Sequence, residues 1–371
     1  MSPSPFHLPT LPLSVCEDKD KWDSFGKLEF RAVSALSTLD GMMQASDKAD
    51  LFWLTWLLKE AQSSNVIEGT VTTFDEILGE NVGIVAPIER QDDVREVINY
   101  RNAMQIGIEE IDNGRPLTLS FVKALHTQLL DGVRGEHKTP GQWRTAQVHI
   151  GIPGSKLESA TYIPPEPFHI LSLLENWEKF INRDDDLNPL VQAAVMHAQF
   201  EMIHPFLDGN GRMGRLLITL FLVYKKILTK PCFYISVYLQ NNREEYYKLL
   251  SGISKYGDWN SWIKFFLNAV IERSNNNIML LNNMNSLYER SKKIFSKITK
   301  SPYWVSILDY MFEKPLFTLP DLKNSCTGIS DQGLVNIIKR LEKEGFVEKI
   351  APGRGRSPAI WKFKDLMALL A

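Results

Sequence analysis

The chain has 371 residues, of which 44% are hydrophobic and 23% are charged, and its formal net charge is −2. This composition is typical of a soluble globular protein, and the near-neutral charge argues against a chain that binds polyanions over its whole surface. The length predicts two or three domains. The longest apolar stretch, Leu216 to Tyr224, is too short to span a bilayer, so we expect no membrane partner.

The cysteines and the N-terminus indicate the compartment. Cys16, Cys232 and Cys326 are odd in number and far apart, so they predict neither a disulfide framework nor a CxxC zinc site. The proline-rich N-terminus lacks the basic leader of a signal peptide. We therefore expect a cytoplasmic protein in a reducing environment.

Helical periodicity dominates the chain up to about residue 298, after an extended segment over residues 1–15. The stretch 140–166 differs, because its Gly, Pro and β-branched residues have no helical period, and it predicts a β-hairpin with strands at 148–152 and 161–163. The expected fold class is therefore mainly all-α with one hairpin. The main helices are predicted at 49–69, 91–111, 119–130, 167–181, 189–203, 211–228, 243–250 and 259–289.

Residues 291–371 carry 14 Lys/Arg against 8 Asp/Glu, which sets them apart from the acidic remainder of the chain. Three helices followed by a two-stranded wing are typical of a winged helix-turn-helix. The helices are predicted at 303–312, 319–324 and 330–344, and the strands at 346–350 and 359–363.

Four basic residues of this module favour contact with DNA: Lys339 and Arg340 on the third helix, and Arg354 and Arg356 on the wing. The alternative is a module that docks a protein or a second copy of the chain, because acidic residues on the third helix moderate the local charge.

The segment from His204 to Arg215, HPFLDGNGRMGR, carries the groups that phosphate chemistry needs. Its glycines leave backbone N–H groups uncluttered just before a helix, which is an anion-binding arrangement. Arg212 and Arg215 lie three residues apart on one helix face, where guanidinium groups can hold phosphate oxygens. Asp208 offers a carboxylate to Mg²⁺, and His204 titrates near neutral pH and can accept a proton. Together these groups predict phosphoryl or nucleotidyl transfer.

The same segment matches every fixed position of the signature HxFx[D/E]GNGRxxR, and the chain resembles the Fic family over about residues 50–270. The resemblance implies a Fic helical core that transfers AMP from ATP to Ser, Thr or Tyr hydroxyls of proteins, with Mg²⁺ as the metal. It implies that His204 deprotonates the target hydroxyl and that Asp208 holds Mg²⁺. The other residues assigned to nucleotide binding are Phe206, as the apolar anchor of the loop, and Gly209, Asn210, Gly211, Arg212 and Arg215.

Two further segments acquire a role from this resemblance. The hairpin at 147–163 would be the family's flap, and its exposed edge would dock an extended segment of the target protein by β-addition. The stretch that contains Asn242, Arg243 and Tyr246 resembles the one that flanks the adenine pocket. These three residues fit a helix start and its packing equally well.

A second motif precedes the core. Ser64, Glu68 and Gly69 fit the pattern [S/T]xxxE[G/N] on a predicted helix, which is similar to the family's inhibitory motif. The resemblance implies that Glu68 pairs with Arg215 and so withholds this arginine from the γ-phosphate of ATP. The alternative is an ordinary solvated glutamate.

We therefore expect three parts: an N-terminal region with the inhibitory motif at 1–89, a Fic core at 90–290 and a winged helix at 291–371. The expected function is AMP transfer to target proteins and to the protein itself by an autoinhibited, homo-oligomeric enzyme. Two alternatives stay open, a Fic enzyme that transfers a different phosphate-containing group and a transcription regulator whose core senses nucleotide. A zinc site at His197, Glu201 and His204 conflicts with the resemblance, which leaves His204 free.

Overall fold

A computed structural model describes residues 4–14, 25–80, 82–151, 160–184, 186–326, 328–353 and 358–370. The fold is mainly all-α, as predicted. The helices up to residue 299 are α1 (Gly26–Ala45), α2 (Ala49–Ile67), α3 (Phe74–Glu80), α4 (Gln91–Asp112), α5 (Leu119–Leu129), α6 (Ile170–Ile181), α7 (Pro189–Ile203), α8 (Asn210–Tyr224), α9 (Ser236–Asn241), α10 (Arg243–Tyr256) and α11 (Trp259–Thr299).

Helices α7 and α8 form the centre of the fold. Every residue of α7 from Leu190 to Ile203 is buried except Glu201, whose carboxyl oxygen Oε1 is nevertheless buried, and every residue of α8 from Arg212 to Val223 is buried. A helix that is apolar on nearly all sides is enclosed by its neighbours rather than laid on a surface. The short connection between these two helices is the segment that carries the predicted site, so a rigid core holds it at both ends.

Helix α2 brings the predicted inhibitory motif to the same place. It ends at Ile67, and Gly69 then adopts a φ of +94°, a conformation that favours glycine because it lacks a Cβ. The last turn of α2 packs against α8 and presents Ser64 and Glu68 to it.

Helix α11 is longer than predicted. It continues for 41 residues through the expected boundary at residue 290, and it packs against both α1 and the C-terminal region. The predicted division of the chain into three parts stays a prediction, but no break in the helix marks the second boundary.

The elements of the C-terminal region are α12 (Trp304–Glu313), β1 (Leu316–Thr318), α13 (Leu319–Ser325), α14 (Asp331–Lys343), β2 (Val347–Ala351), β3 (Ile360–Phe363) and α15 (Lys364–Leu370). The strands form an antiparallel sheet of order β1-β3-β2, in which β2 and β3 lie where the two strands of the wing were predicted. The side chain of Ser330 caps α14 by accepting a hydrogen bond from the Gly333 backbone N–H. Helix α15 and strand β1 were not predicted, and a strand of three residues is too short to establish a periodicity. The winged helix stays a prediction.

The residues predicted to contact DNA receive little support. Nη1 of Arg340 donates hydrogen bonds to the carbonyls of Ile298 and Thr299, so this arginine caps the end of α11. Arg354 and Arg356 lie outside the described residues. DNA binding through Lys339 and the wing stays a prediction, as does the homo-oligomer.

The C-terminal region packs directly on α2. Phe52 and Phe312 are buried with their ring centroids 5.7 Å apart. Nζ of Lys48, which precedes α2, lies 3.2 Å from Oδ1 of Asp309 on α12. The helix that carries Ser64 and Glu68 therefore begins at a contact with the C-terminal region and ends at the predicted site.

Among the described helices, none combines the length and apolar character needed to cross a membrane.

Candidate active site

His204 ends α7 in a left-handed conformation, with φ 50° and ψ 59°. Its Nδ1 lies 3.3 Å from the carbonyl of Glu201, which favours the tautomer that carries the proton on Nδ1 and leaves the Nε2 lone pair available. Burial lowers the pKa of this imidazole to about 4. The side chain is therefore neutral at physiological pH and able to accept a proton.

The loop after His204 is held by hydrogen bonds between its own residues. Phe206 is fully buried, and its backbone N–H and C=O pair with the side-chain amide of Asn210 at 2.9 Å each. Asn210 thus shapes the loop, and its side chain contacts the loop rather than facing outwards. The ring of Phe206 stacks on that of His126 with centroids 3.5 Å apart. These contacts fit the prediction that Phe206 is an apolar anchor.

The sequence indicated only a structural or surface role for His126, and in the structure it holds this loop. The backbone N–H of Gly141 donates to Nδ1 of His126 at 2.9 Å, so Nε2 carries the proton and donates to the carbonyl of Asp208 at 2.9 Å. Burial lowers the pKa of His126 to about 4, which keeps this neutral tautomer. A histidine two helices away from the motif has no local sequence signal that would reveal this bond.

Asp208 is the residue predicted to hold Mg²⁺. Its side chain is 40% exposed at the mouth of the loop, and Oδ1 accepts hydrogen bonds from the Gly209 N–H and from Nη2 of Arg212. Its role as a metal ligand stays a prediction. No group of three or more His, Cys, Asp or Glu side chains among the described residues is arranged to hold a metal. One carboxylate is consistent with Mg²⁺, which takes its remaining ligands from phosphates and water.

Arg212 is buried and paired with a second carboxylate, and its contact with phosphate stays a prediction. Its side chain is only 5% exposed, and Nη1 lies 3.1 Å from Oε2 of the buried Glu96 on α4. Glu96 also accepts from Arg134 Nε at 2.9 Å and from the Thr70 hydroxyl at 3.2 Å. Arg212 is thus anchored by a carboxylate that the sequence analysis did not identify, since nothing local distinguishes Glu96 from other glutamates.

Arg215 and Glu68 form the predicted pair. Nη2 of Arg215 lies 2.7 Å from Oε1 of Glu68, and the Ser64 hydroxyl accepts from Nε at 2.9 Å. Burial acts to raise the pKa of Glu68, but the charge and hydrogen bond of Arg215 outweigh it and hold this pKa below its ordinary value. The Glu68 carboxylate lies over the glycine loop, close to Gly211. A Cβ at this glycine would overlap Oε1 of Glu68 and come within 2.9 Å of Arg215 Nη1.

A second acidic group lies beneath this pair. Glu201 points inwards from α7, and its Oε1 has no hydrogen-bond partner among the described residues. A Cβ at Gly214 would overlap this oxygen, so only glycine permits the approach. Burial raises the pKa of Glu201 to about 8, while Arg215 acts to lower it. The sequence placed Glu201 in a rejected zinc set and gave no sign of this buried, protonated state.

The three residues proposed from the adenine-pocket resemblance do not lie together on one surface. Tyr246 is buried, and its hydroxyl lies 3.0 Å from Nε2 of His197. Arg243 is exposed and stacks over the ring of Tyr247 at 5.5 Å. The Asn242 side chain donates to the carbonyl of Tyr238 at 2.9 Å. A nucleotide contact by Asn242, Arg243 or Tyr246 stays a prediction.

The predicted hairpin is described at its two legs, and residues 152–159 lie outside the described residues. An antiparallel bridge joins Ile150 and Tyr162, and the Tyr162 hydroxyl donates to the carbonyl of Met202 at 2.8 Å, next to His204. The N-terminal segment lies along the second leg, where the backbone N–H of Phe6 donates to the carbonyl of Ile163 at 3.0 Å. Residues 147–151 of the first leg are exposed except for the half-buried Val148.

The fold and the site define a helical protein with an anion-binding loop between two core helices. Residues 116–222 match the Fic/DOC family, and residues 27–109 match the Fic/DOC family N-terminal region. The chain belongs to the Fic/DOC family.

Curated relatives include the protein adenylyltransferase Fic of Drosophila grimshawi, which is 26% identical over 179 residues, or 47% of this chain and 33% of the relative. That of Drosophila mojavensis is 29% identical over 154 residues, or 40% of this chain and 26% of the relative. The chain thus spans about a third or less of the length of these relatives.

Solved structures share the fold. A Fic family protein from Desulfovibrio desulfuricans G20 aligns with a TM-score of 0.56 at 17% identity, and the alignment covers 97% of this chain and 98% of that one. Fic-1 (residues 134–508) from C. elegans aligns with a TM-score of 0.56 at 19% identity over 72% of this chain and 76% of that one.

Proposed function

We propose that this protein transfers AMP from ATP to hydroxyl side chains of target proteins, and to its own, and that Glu68 restrains this activity. The observation that carries the proposal is the carboxylate of Glu68 over Gly211, paired with Arg215. An anionic group here takes the place where a glycine loop at a helix start would bind a phosphate. The loop thus offers a site for an anion, and the carboxylate of Glu68 occupies it.

The transfer uses His204 as the general base. The hydroxyl oxygen of the target attacks the α-phosphorus, the bond from this phosphorus to the diphosphate oxygen breaks, and the hydroxyl proton moves to Nε2 of His204. The neutral imidazole and the proton on Nδ1 support this role. Mg²⁺, when bound by Asp208, supplies charge neutralisation at the phosphates.

The restraint follows from the competition for Arg215. A guanidinium that already holds Glu68 and the Ser64 hydroxyl has fewer donors left for the γ-phosphate. The same carboxylate repels phosphate oxygens at the loop. Removing Glu68 therefore both frees Arg215 and removes the repulsion, and we expect the wild-type protein to be weakly active.

The target would dock on the first leg of the hairpin, at 147–151. An extended segment can add a strand to an exposed edge, and alternate side chains then point towards or away from the site. The N-terminal segment already covers the second leg through Phe6, which leaves this edge as the docking surface.

The test is transfer of label from α-³²P-ATP with Mg²⁺, with self-modification as the readout, in wild type, Glu68→Gly and Glu68→Gly/His204→Ala. We expect strong labelling only in Glu68→Gly, and a loss of about 10²–10⁴ in rate when the base is removed. A parallel assay with γ-label distinguishes AMP transfer from phosphate transfer. Label from γ-³²P alone, or no label in any variant, would contradict the proposal.

A further inference from the structure

Arg144 lies between the hairpin and the end of α7, and the function proposed above assigns it no role. It is one of the largest fully enclosed side chains, with 2% of the residue exposed. The hydrogen bonds that its guanidinium donates within the described residues all go to backbone carbonyls. These carbonyls are those of His204 at 2.8 Å, Ala146 at 3.1 Å, Pro165 at 2.6 Å and Ile203 at 3.4 Å.

The four carbonyls come from two structural units. Those of Ile203 and His204 belong to the end of α7, which carries the general base. Those of Ala146 and Pro165 belong to the segments that flank the hairpin at 147–163, one before it and one after it. The backbone N–H of Arg144 adds a hydrogen bond to the carbonyl of Pro205 at 2.8 Å. One side chain thus joins the base to both ends of the proposed target-docking element.

The arrangement uses properties that only arginine has. Burying a charged group without a carboxylate partner is unfavourable, and burial lowers the pKa of Arg144 to about 10. The planar fork offers five N–H donors in fixed directions, which is how it reaches carbonyls on three chain segments at once. A lysine in its place keeps the charge but cannot reproduce these directions.

We propose that Arg144 is a positioning residue that sets the distance from the docking edge of the hairpin to the imidazole of His204. It thereby determines how far an acceptor hydroxyl must extend from the target backbone to meet the base. This inference rests on the proposed AMP transfer. It concerns residues that touch neither the glycine loop nor Arg215, so it predicts a loss of transfer without a loss of nucleotide binding.

The experiment uses the full chain in the Glu68→Gly background, with Arg144→Lys and Arg144→Gln, and with the partly exposed Arg115→Lys as a control. At saturating ATP, a misplacement of about 1 Å should lower self-labelling about 10²-fold in both Arg144 variants. The affinity of both Arg144 variants for ATP should be unchanged, and self-labelling of the Arg115→Lys variant should be unchanged. The acid limb of the pH profile should move to higher pH in Arg144→Gln only, because the positive charge of Arg144 helps to lower the pKa of His204.

Retained labelling in Arg144→Lys would overturn the proposal. A joint loss of labelling and ATP affinity in a protein that still melts cooperatively would also overturn the proposal. Arg144 would then have a general structural role and no specific role in positioning the hairpin. Amide hydrogen exchange provides a readout that does not require activity. The amides of Ile150 and Tyr162, which bond across the hairpin, should exchange faster in Arg144→Gln while those of α8 do not change. Should Glu68→Gly transfer no AMP, the proposed function fails, and unchanged exchange at these amides would independently overturn the role of Arg144.

Discussion

Glu68 and Arg215 lie 147 residues apart in the chain and meet at 2.7 Å, but they are not equally enclosed. The side chain of Arg215 is 1% exposed, whereas that of Glu68 is 35% exposed. Removing a buried charge's partner is costly, while a partly exposed carboxylate can return to water. We therefore expect the pair to open by movement of Glu68, with Arg215 staying in place to receive another anion.

Ser64→Ala should weaken the restraint without abolishing it. The Ser64 hydroxyl accepts from Nε of the buried Arg215, and its loss leaves that donor unpaired. We expect a loss of about 1–3 kcal/mol in the free energy of unfolding, together with labelling between that of wild type and that of Glu68→Gly. Urea unfolding and α-label transfer measure the two effects. Ser63→Ala, on the neighbouring buried residue, is the control, and equal effects of the two substitutions would contradict the role of Ser64.

Glu96→Gln should destabilise the protein more than Arg134→Gln does. Glu96 and Arg212 are each 5% exposed in their side chains, so removing the carboxylate's charge leaves a buried guanidinium poorly compensated. We expect a loss of about 3–5 kcal/mol for Glu96→Gln. Water can replace the side chain of Arg134, which is 55% exposed, as a partner of Glu96. Its substitution should therefore lower the free energy of unfolding by about 1 kcal/mol or less. Similar unfolding midpoints in urea for the two variants would show that the buried Glu96–Arg212 pair contributes no more to stability than the exposed pair with Arg134.

Glu201→Gln should become more stable than wild type as the pH rises. The pKa of Glu201 is about 8 in the folded protein against an ordinary value of 4.5, so between these values the folded state holds a proton that the unfolded chain has released. The free energy of unfolding of wild type then falls with pH by at most about 1.4 kcal/mol per unit, and glutamine has no such titration. Urea unfolding from about pH 5 to 8 measures the difference, with the exposed Glu175→Gln as control. A difference that is constant over this range would be incompatible with a buried, protonated Glu201.

His126→Phe should raise the concentration of Mg²⁺ that AMP transfer requires. The substitution keeps an aromatic ring against Phe206 but removes the bonds to the carbonyl of Asp208 and the N–H of Gly141. We expect a loss of about 1–3 kcal/mol in stability and a looser carboxylate at position 208. Mg²⁺ titration of labelling in the Glu68→Gly background tests this, with His169→Phe on the surface as control. An unchanged Mg²⁺ dependence would limit His126 to a structural role.

The residues between His204 and Arg215 were identified from the sequence because their spacing is local and the motif is contiguous. The pairing of Glu68 with Arg215 was also predicted, since a short second motif lies on an expected helix. Local patterns cannot show which distant side chain completes a charge, so the pairing of Arg212 with Glu96 was not predicted, and its contact with phosphate stays a prediction. The roles of Arg144 and His126 depend on carbonyls brought together only by the fold.

Secondary structure was predicted well where periodicity extends over several turns, as in α7 and α8. It was predicted less well where elements are short, as in β1 and α15. The change in charge near residue 291 suggested a separate module, but charge on a solvated face does not end a helix. The helical pattern of α11 simply continues across it.

The continuity of α11 has a consequence for how the chain holds together. A cut at residue 290 would sever a helix, and it would uncover Phe52 by removing Phe312. We therefore expect the two ends of the protein to unfold as one cooperative unit, instead of as two that melt separately. By linkage, a ligand that binds only the folded state at either end protects the other from unfolding and proteolysis as well.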